Sequence, residues 1–108
     1  MITVVSGTAR PDSMTLRVAR HYHQRLQALA PAGTPVELLS LEGLPVWERG
    51  PELLRLEADV LIPTERFVIV MPEYNGSFPG VLKMLVDNTD IKRVWWGKKA
   101  LLAGVADG

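Results

Sequence analysis

Phe67-Val68-Ile69-Val70-Met71 is an unbroken apolar run, and it constrains the fold more than any other stretch of the chain. A strand with no polar face has to be buried on both sides, which is the habit of strands inside parallel sheets. The run passes straight into Pro72-Glu73-Tyr74-Asn75-Gly76-Ser77-Phe78-Pro79-Gly80 and then into the amphipathic Val81-Leu82-Lys83-Met84-Leu85-Val86. This is a buried strand, a tight loop rich in Gly and Pro, and a helix start. In an open parallel sheet the loop at the carboxyl end of a strand is where ligands bind.

The rest of the chain repeats the unit. Ile2 to Val5 is a short β-branched strand ending at Ser6-Gly7. Residues 7–13 form a loop in which Asp12 and Ser13 are both N-cap candidates. Met14, Val18, Tyr22, Leu26 and Leu29 recur at helical spacing and predict a helix from Met14 to about Ala30 with these residues on its buried face. Pro31 to Pro35 stops it, and Val36 to Leu39 reads as a second strand. A connector over 40–50 leads to a helix from Pro51, in its first turn, to about Leu61. The third strand is Phe67 to Met71, a third helix spans about Pro79 to Asn88, and Ala100 to Val105 is a fourth apolar strand. Trp95-Trp96-Gly97 reads as a surface connector.

The order β-α-β-α-β-α-β predicts an α/β fold with a parallel sheet covered on both faces. Right-handed crossovers reduce its topology to a few doubly wound choices. The last strand has no helix after it to cover its face and edge, so the expectation is part of a longer domain or cover from a partner chain.

Bulk properties exclude several function classes. Lys+Arg and Asp+Glu are equal at 12 each, and no basic stripe interleaved with aromatics marks a nucleic-acid surface. There are no cysteines, which removes disulfides, thiolate nucleophiles and most zinc sites. No metal site is expected. No apolar stretch approaches the roughly 20 residues that cross a bilayer, and the amino terminus lacks a basic signal-peptide region. The expected location is the cytoplasm.

Two constellations carry chemistry. Gly7-Thr8-Ala9-Arg10-Pro11-Asp12-Ser13-Met14-Thr15 joins the first strand to the first helix. A helix N-terminus offers unpaired N–H groups and partial positive charge. Hydroxyls at Thr8, Ser13 and Thr15 and the Arg10 guanidinium would add donors for a doubly ionised phosphate. It is neither the dinucleotide fingerprint nor a P-loop, and a capped helix with an incidental arginine is the plain alternative. The second is Pro72 to Ser77, where Asn75-Gly76 could simply turn and Ser77 cap. That alternative leaves Pro72-Glu73-Tyr74 unexplained at the strand's carboxyl end. Loops after the first and third strands lie side by side at a switch point, giving a phosphate site and a planar-ring site on one edge.

With Gly7 to Ser13 and Thr15, followed by Pro72 to Lys83, the chain resembles the NAD(P)H-dependent FMN reductases of flavodoxin-like fold, which include quinone, azo-dye and chromate reductases. The resemblance runs from Ile2 to the end of the chain. It implies one FMN-binding domain over 1–108, with strand order 2-1-3-4 and four of the five strands of such a sheet. By resemblance, Thr8, Arg10, Ser13, Met14 and Thr15 hold the FMN phosphate. Pro72, Glu73, Tyr74, Asn75, Gly76 and Ser77 line the isoalloxazine, largely through backbone N–H groups. Gly104 to Gly108, with Asp107 among them, match the start of a third flavin loop. Family members often have Asn where this chain has Thr15 and Met84, and their third loop and sheet are completed by a carboxyl-terminal portion that this chain lacks.

The resemblance further implies FMN and NAD(P)H as cofactors, with no catalytic side chain beyond flavin-mediated hydride transfer. Quinone, azo or free-flavin acceptors would be reduced in a ping-pong sequence, in a homodimer or higher homo-oligomer. A flavodoxin-like electron carrier is the competing class. Such carriers are strongly acidic, whereas this chain is neutral. An inactive truncated fragment is the third.

Other residues are expected to be structural. His21 and His23 lie off the apolar stripe of the first helix and are expected in solvent. Glu73 reads as loop-fixing rather than proton-transferring, and Asp87 and Asp90 as solvating the end of the third helix. Trp95 and Trp96 fit either the core or an interface, with Trp47 a further candidate.

Overall fold

The computed structural model describes residues 1–73 and 79–106. Tyr74, Asn75, Gly76, Ser77 and Asp107 lie outside the described residues. Strands β1 (Ile2–Ser6), β2 (Val36–Ser40), β3 (Arg66–Pro72) and β4 (Lys99–Val105) pair in parallel in the order β2-β1-β3-β4. Helices α1 (Met14–Leu29), α2 (Pro51–Leu56) and α3 (Gly80–Asp87) make the crossovers. Each strand exceeds its sequence-based bounds by one or two residues, because the ladder continues through polar positions such as Ser6, Ser40, Arg66 and Lys99.

The strand period sorts the core into two layers. Val4, Val68 and Val70 point to one face and pack with Ala19, Val18, Tyr22 and Leu26 of α1. Val5, Leu39, Phe67 and Ile69 point to the other and meet Leu53, Leu61, Leu82, Leu85 and Val94. Within that second layer Thr64 donates to the Val60 carbonyl at 2.6 Å, so the buried Thr3 hydroxyl donates to Thr64 Oγ1, also at 2.6 Å.

Several local expectations are corrected. The buried face of α1 is Thr15, Leu16 and Ala19, whereas Met14 and Leu29 are 51% and 71% exposed. Val18, Tyr22 and Leu26 of the expected stripe do pack on the sheet layer, beside Ala19, whose small side chain allows close approach. His23 is half-buried rather than in solvent, with Nε2 donating to the Val36 carbonyl at 2.9 Å. The expected 51–61 helix is α-helical only to Leu56 and continues as a π-helical turn over Glu57–Leu61.

A second π-helical turn, Ile91–Trp95, replaces the front of the expected connector. It buries Trp95 against Phe67, with ring centroids 4.8 Å apart, while its Nε1 donates to Thr89 Oγ1 at 2.9 Å. Trp96 is exposed beneath the Lys92 ammonium. Asp90 does not solvate α3. It caps this turn, accepting from the N–H groups of Lys92 and Arg93, both at 3.1 Å. Asp87 pairs with Lys83 on the exposed face of α3.

β4 is apolar yet open, with Leu101 57% and Leu102 50% exposed on opposite faces.

Candidate functional site

The site is assembled at the carboxyl ends of β1 and β3. Register places Ser6 of β1 beside Val70 of β3, and Val70 beside Ala103 of β4, so three strand ends share one edge. Gly7 turns the chain out of β1, and its N–H donates to the Val70 carbonyl at 2.7 Å. A Cβ on Gly7 would stand 3.1 Å from that oxygen and 3.4 Å from Met71 Cβ. The glycine is needed for this close approach. Asp12 takes φ 49°, a left-handed turn that Asp tolerates better than most residues.

That turn leaves Ser13, not Asp12, as the N-cap of α1, with its Oγ accepting from Leu16 N at 3.0 Å. The Ser13 hydroxyl proton remains available to a ligand. Thr8 is buried and its Oγ1 accepts from the Arg10 N–H at 3.3 Å, so its proton is likewise available. Thr15 is buried in the first turn of the helix, and Met14 stands exposed beside it. The first turn of the 16-residue helix α1 holds no acidic residue, while Asp12 just before the cap pairs with Arg17 at 3.9 Å and its N–H donates to Glu42 at 3.3 Å. Ser6 Oγ is buried with no hydrogen-bond partner among the described residues, a polar atom left over beneath the same loop.

Across the edge, Pro72 is buried at the end of β3, opposite Val105, and the Glu73 N–H donates to the Val105 carbonyl at 3.0 Å. Pro79, also buried, occupies the N-cap position of α3. The two flanks of the 72–80 loop are thus fixed, and Gly104 lies beside Glu73. Thr8, Ser13, Thr15, Pro72, Glu73 and Gly104 are therefore gathered along one edge, with Arg10 exposed on the first loop. The donor set at α1 (hydroxyls, helix N–H groups and a guanidinium) suits a phosphate monoester and therefore fits the phosphate end of FMN.

Sequence reasoning missed the brace behind α3. Arg49 donates to both oxygens of Glu57, at 2.7 and 2.9 Å, and to the Asn88 carbonyl at 2.9 Å. Glu57 also accepts from the Asp90 N–H at 2.8 Å, and Asn88 Nδ2 donates to the Val46 carbonyl at 2.7 Å. The Arg49 guanidinium holds the Glu57 carboxyl below the usual carboxylate range against the opposing effect of burial, with the Asp90 N–H assisting. Arg49 is raised in turn, chiefly by its hydrogen bond to Glu57. The signal was present: Leu53, Glu57 and Leu61 recur every fourth residue, which puts the carboxylate on the buried face.

A family profile described as NADPH-dependent FMN reductase matches residues 1–108. The chain is 32% identical over 115 residues to a 2-hydroxy-1,4-benzoquinone reductase from Burkholderia sp, covering 99% of this chain and 61% of that protein. It is 29% identical over 116 residues to a quinone reductase from Pseudomonas putida, covering 99% and 60%. The crystal structure of an NADH:FMN oxidoreductase in its apo form superimposes with a TM-score of 0.79 at 18% identity, over 99% of this chain and 58% of that one. The sheet order and this likeness make the fold flavodoxin-like. The chain spans about 60% of the length of the curated relatives it matches. The match along the whole chain places this chain in the NADPH-dependent FMN reductase family.

Proposed function

We propose that this chain is the FMN-binding domain of an NAD(P)H-dependent oxidoreductase that reduces quinone, azo or free-flavin acceptors in a ping-pong sequence. The observation that carries the reading is the amino end of α1. It is free of acidic residues in its first turn and set with the hydroxyls of Thr8, Ser13 and Thr15 where β1 and β3 end side by side. In this reading Thr8, Arg10, Ser13, Met14 and Thr15 hold the phosphate, and the helix N–H groups share its charge. Pro72, Glu73, Tyr74, Asn75, Gly76 and Ser77 line the ring, and Gly104 and Asp107 belong to the third wall. Bound FMN supplies the hydride chemistry, and the protein supplies placement and electrostatics. The relatives named quinone reductases support a quinone acceptor.

The exposed Trp47, Met84 and Ile91 support a homodimer. Asn88, one turn beyond Met84, bonds to Val46 and Arg49 on either side of Trp47, which draws these apolar residues together. The lack of cysteine agrees with a cytoplasmic location.

Titration of FMN into the protein, followed by anaerobic mixing with NADPH, tests the reading. Quenching of flavin fluorescence, rapid bleaching of the visible bands and parallel double-reciprocal lines with a quinone are expected. Arg10→Ala should weaken FMN binding by about tenfold, the scale of one charge-assisted contact. Binding without bleaching would turn the reading towards an electron carrier, and absence of binding would overturn it.

A further inference from the structure

Ser6 ends β1, and its Oγ is the one buried side-chain polar atom without a hydrogen-bond partner among the described residues. The fold satisfies comparable hydroxyls elsewhere: Thr3 donates to Thr64, Thr64 to the Val60 carbonyl, and Thr89 to the Leu85 carbonyl at 2.7 Å. A buried hydroxyl left unpaired costs free energy, so this one calls for an explanation. Its place in the sheet supplies one. Ser6 pairs in register with Val70, which packs in the α1 layer, so its side chain points to the α1 face, as that of Val4 does two residues earlier. Val4 shares that layer with Ala19. From Val4 to Ser6 the strand advances about 6.6 Å, and from Ala19 back to Thr15 the helix retreats about 6 Å towards its amino end. Ser6 therefore lies under the first turn of α1, by the buried Thr15 and at the base of the 7–13 loop.

We infer that Ser6 is a further phosphate-binding residue, the innermost donor at the amino end of α1. This rests on the phosphate reading of that edge given above and adds to it a residue of the strand itself. Thr8 and Ser13 already accept from the Arg10 and Leu16 N–H groups and have one proton each to give. Ser6 makes no such bond. Its proton goes to a phosphate oxygen without first leaving another acceptor, so that bond is gained in full. The same hydroxyl is an unpaired burden when phosphate is absent. One substitution therefore acts in opposite directions on the empty and the loaded protein.

Ser6→Ala removes one oxygen and adds no bulk, which makes it the test. Without flavin or phosphate, the urea midpoint of the variant should equal or exceed that of wild type. Inorganic phosphate should raise the wild-type midpoint by binding the folded form. The variant should need about tenfold more phosphate for the same rise. FMN affinity should fall by about the same factor, whereas riboflavin, which lacks the phosphate, should bind both proteins alike. A lower midpoint in phosphate-free Ser6→Ala, or its failure to fold, would show that the hydroxyl is already satisfied in the empty protein and would overturn the inference. A wild-type midpoint indifferent to phosphate, an equal phosphate response in the two proteins, or equal losses for FMN and riboflavin would do the same. FMN uptake that Ser6→Ala leaves unchanged removes Ser6 from the site while the flavin reading stands. Phosphate binding without FMN uptake refutes the flavin reading instead, and the phosphate response alone then decides Ser6.

Discussion

β3 and β4 are neighbours of equal length and similar apolar content, yet they live in different surroundings. β3 is buried on both faces from Phe67 to Val70, under α1 on one side and under α2 and α3 on the other. β4 pairs with β3 along its whole length but exposes Leu101 and Leu102 on opposite faces. β3 is paired on both sides, by β1 and β4, and β4 on one side only, and the ladder they share accompanies very different side-chain burial. The difference shows that the ladder positions a strand, whereas the helices crossing it supply most of the stabilisation. The 7–13 loop and the flanks of the 72–80 loop, the candidate site, grow from β1 and β3, the two inner strands of the sheet.

The largest test of this contrast is Phe67→Ala. It removes a ring that is 2% exposed and packed on Trp95, and should cost about 3–5 kcal/mol in urea unfolding. A loss below about 1 kcal/mol would mean that β3 is no better supported than β4. Next is the brace. Glu57→Ala leaves a half-exposed arginine and the Asp90 N–H without their acceptor, and should cost about 2 kcal/mol by the same measurement.

Its pH dependence has a definite sign. The folded Glu57 binds protons less readily than the unfolded chain does. The stabilisation is complete above the ordinary glutamate range, about pH 4.3, and is lost as pH falls through the lower folded value. Thermal melts between pH 7 and 3 should show this loss, and it should be smaller in Glu57→Gln.

Gly7→Ala comes third. Its Cβ would press on the backbone oxygen of Val70, which cannot swing away, so about 1–2 kcal/mol should be lost together with FMN affinity. Smallest is Leu101→Lys on β4. Stability in urea unfolding should change by less than about 0.5 kcal/mol. A large loss of stability there would show that Leu101 is covered in solution.

Much of the site was legible in the residues. The apolar run at 67–71, the β-branched run at 2–5 and the caps between them are local signals, and the loops they bracket inherit their place from the parallel topology. The less legible parts depend on contacts distant in sequence. Helical spacing put Met14 and Leu29 on the buried face of α1, but as the two end residues of the helix they stand 51% and 71% exposed. His23 reads as a surface residue until the start of β2 brings the Val36 carbonyl to it. Asp90 and Trp95 lie in a segment without periodicity, and only the π-helical turn around them shows one capping and the other packing.

Local pattern was enough to specify the four strands, the helices between them, that the strands run parallel, and which loops leave their carboxyl ends, though not the π-helical turns at Glu57–Leu61 and Ile91–Trp95. These follow from side-chain period, caps and the handedness of crossovers, all short-range or topological. Packing in three dimensions decided the rest: Ser13 over Asp12 as the cap, and Glu57 as a buried brace. Each depends on atoms from segments far apart in sequence meeting within a few ångströms, where close packing and the need to pair buried polar groups choose one arrangement.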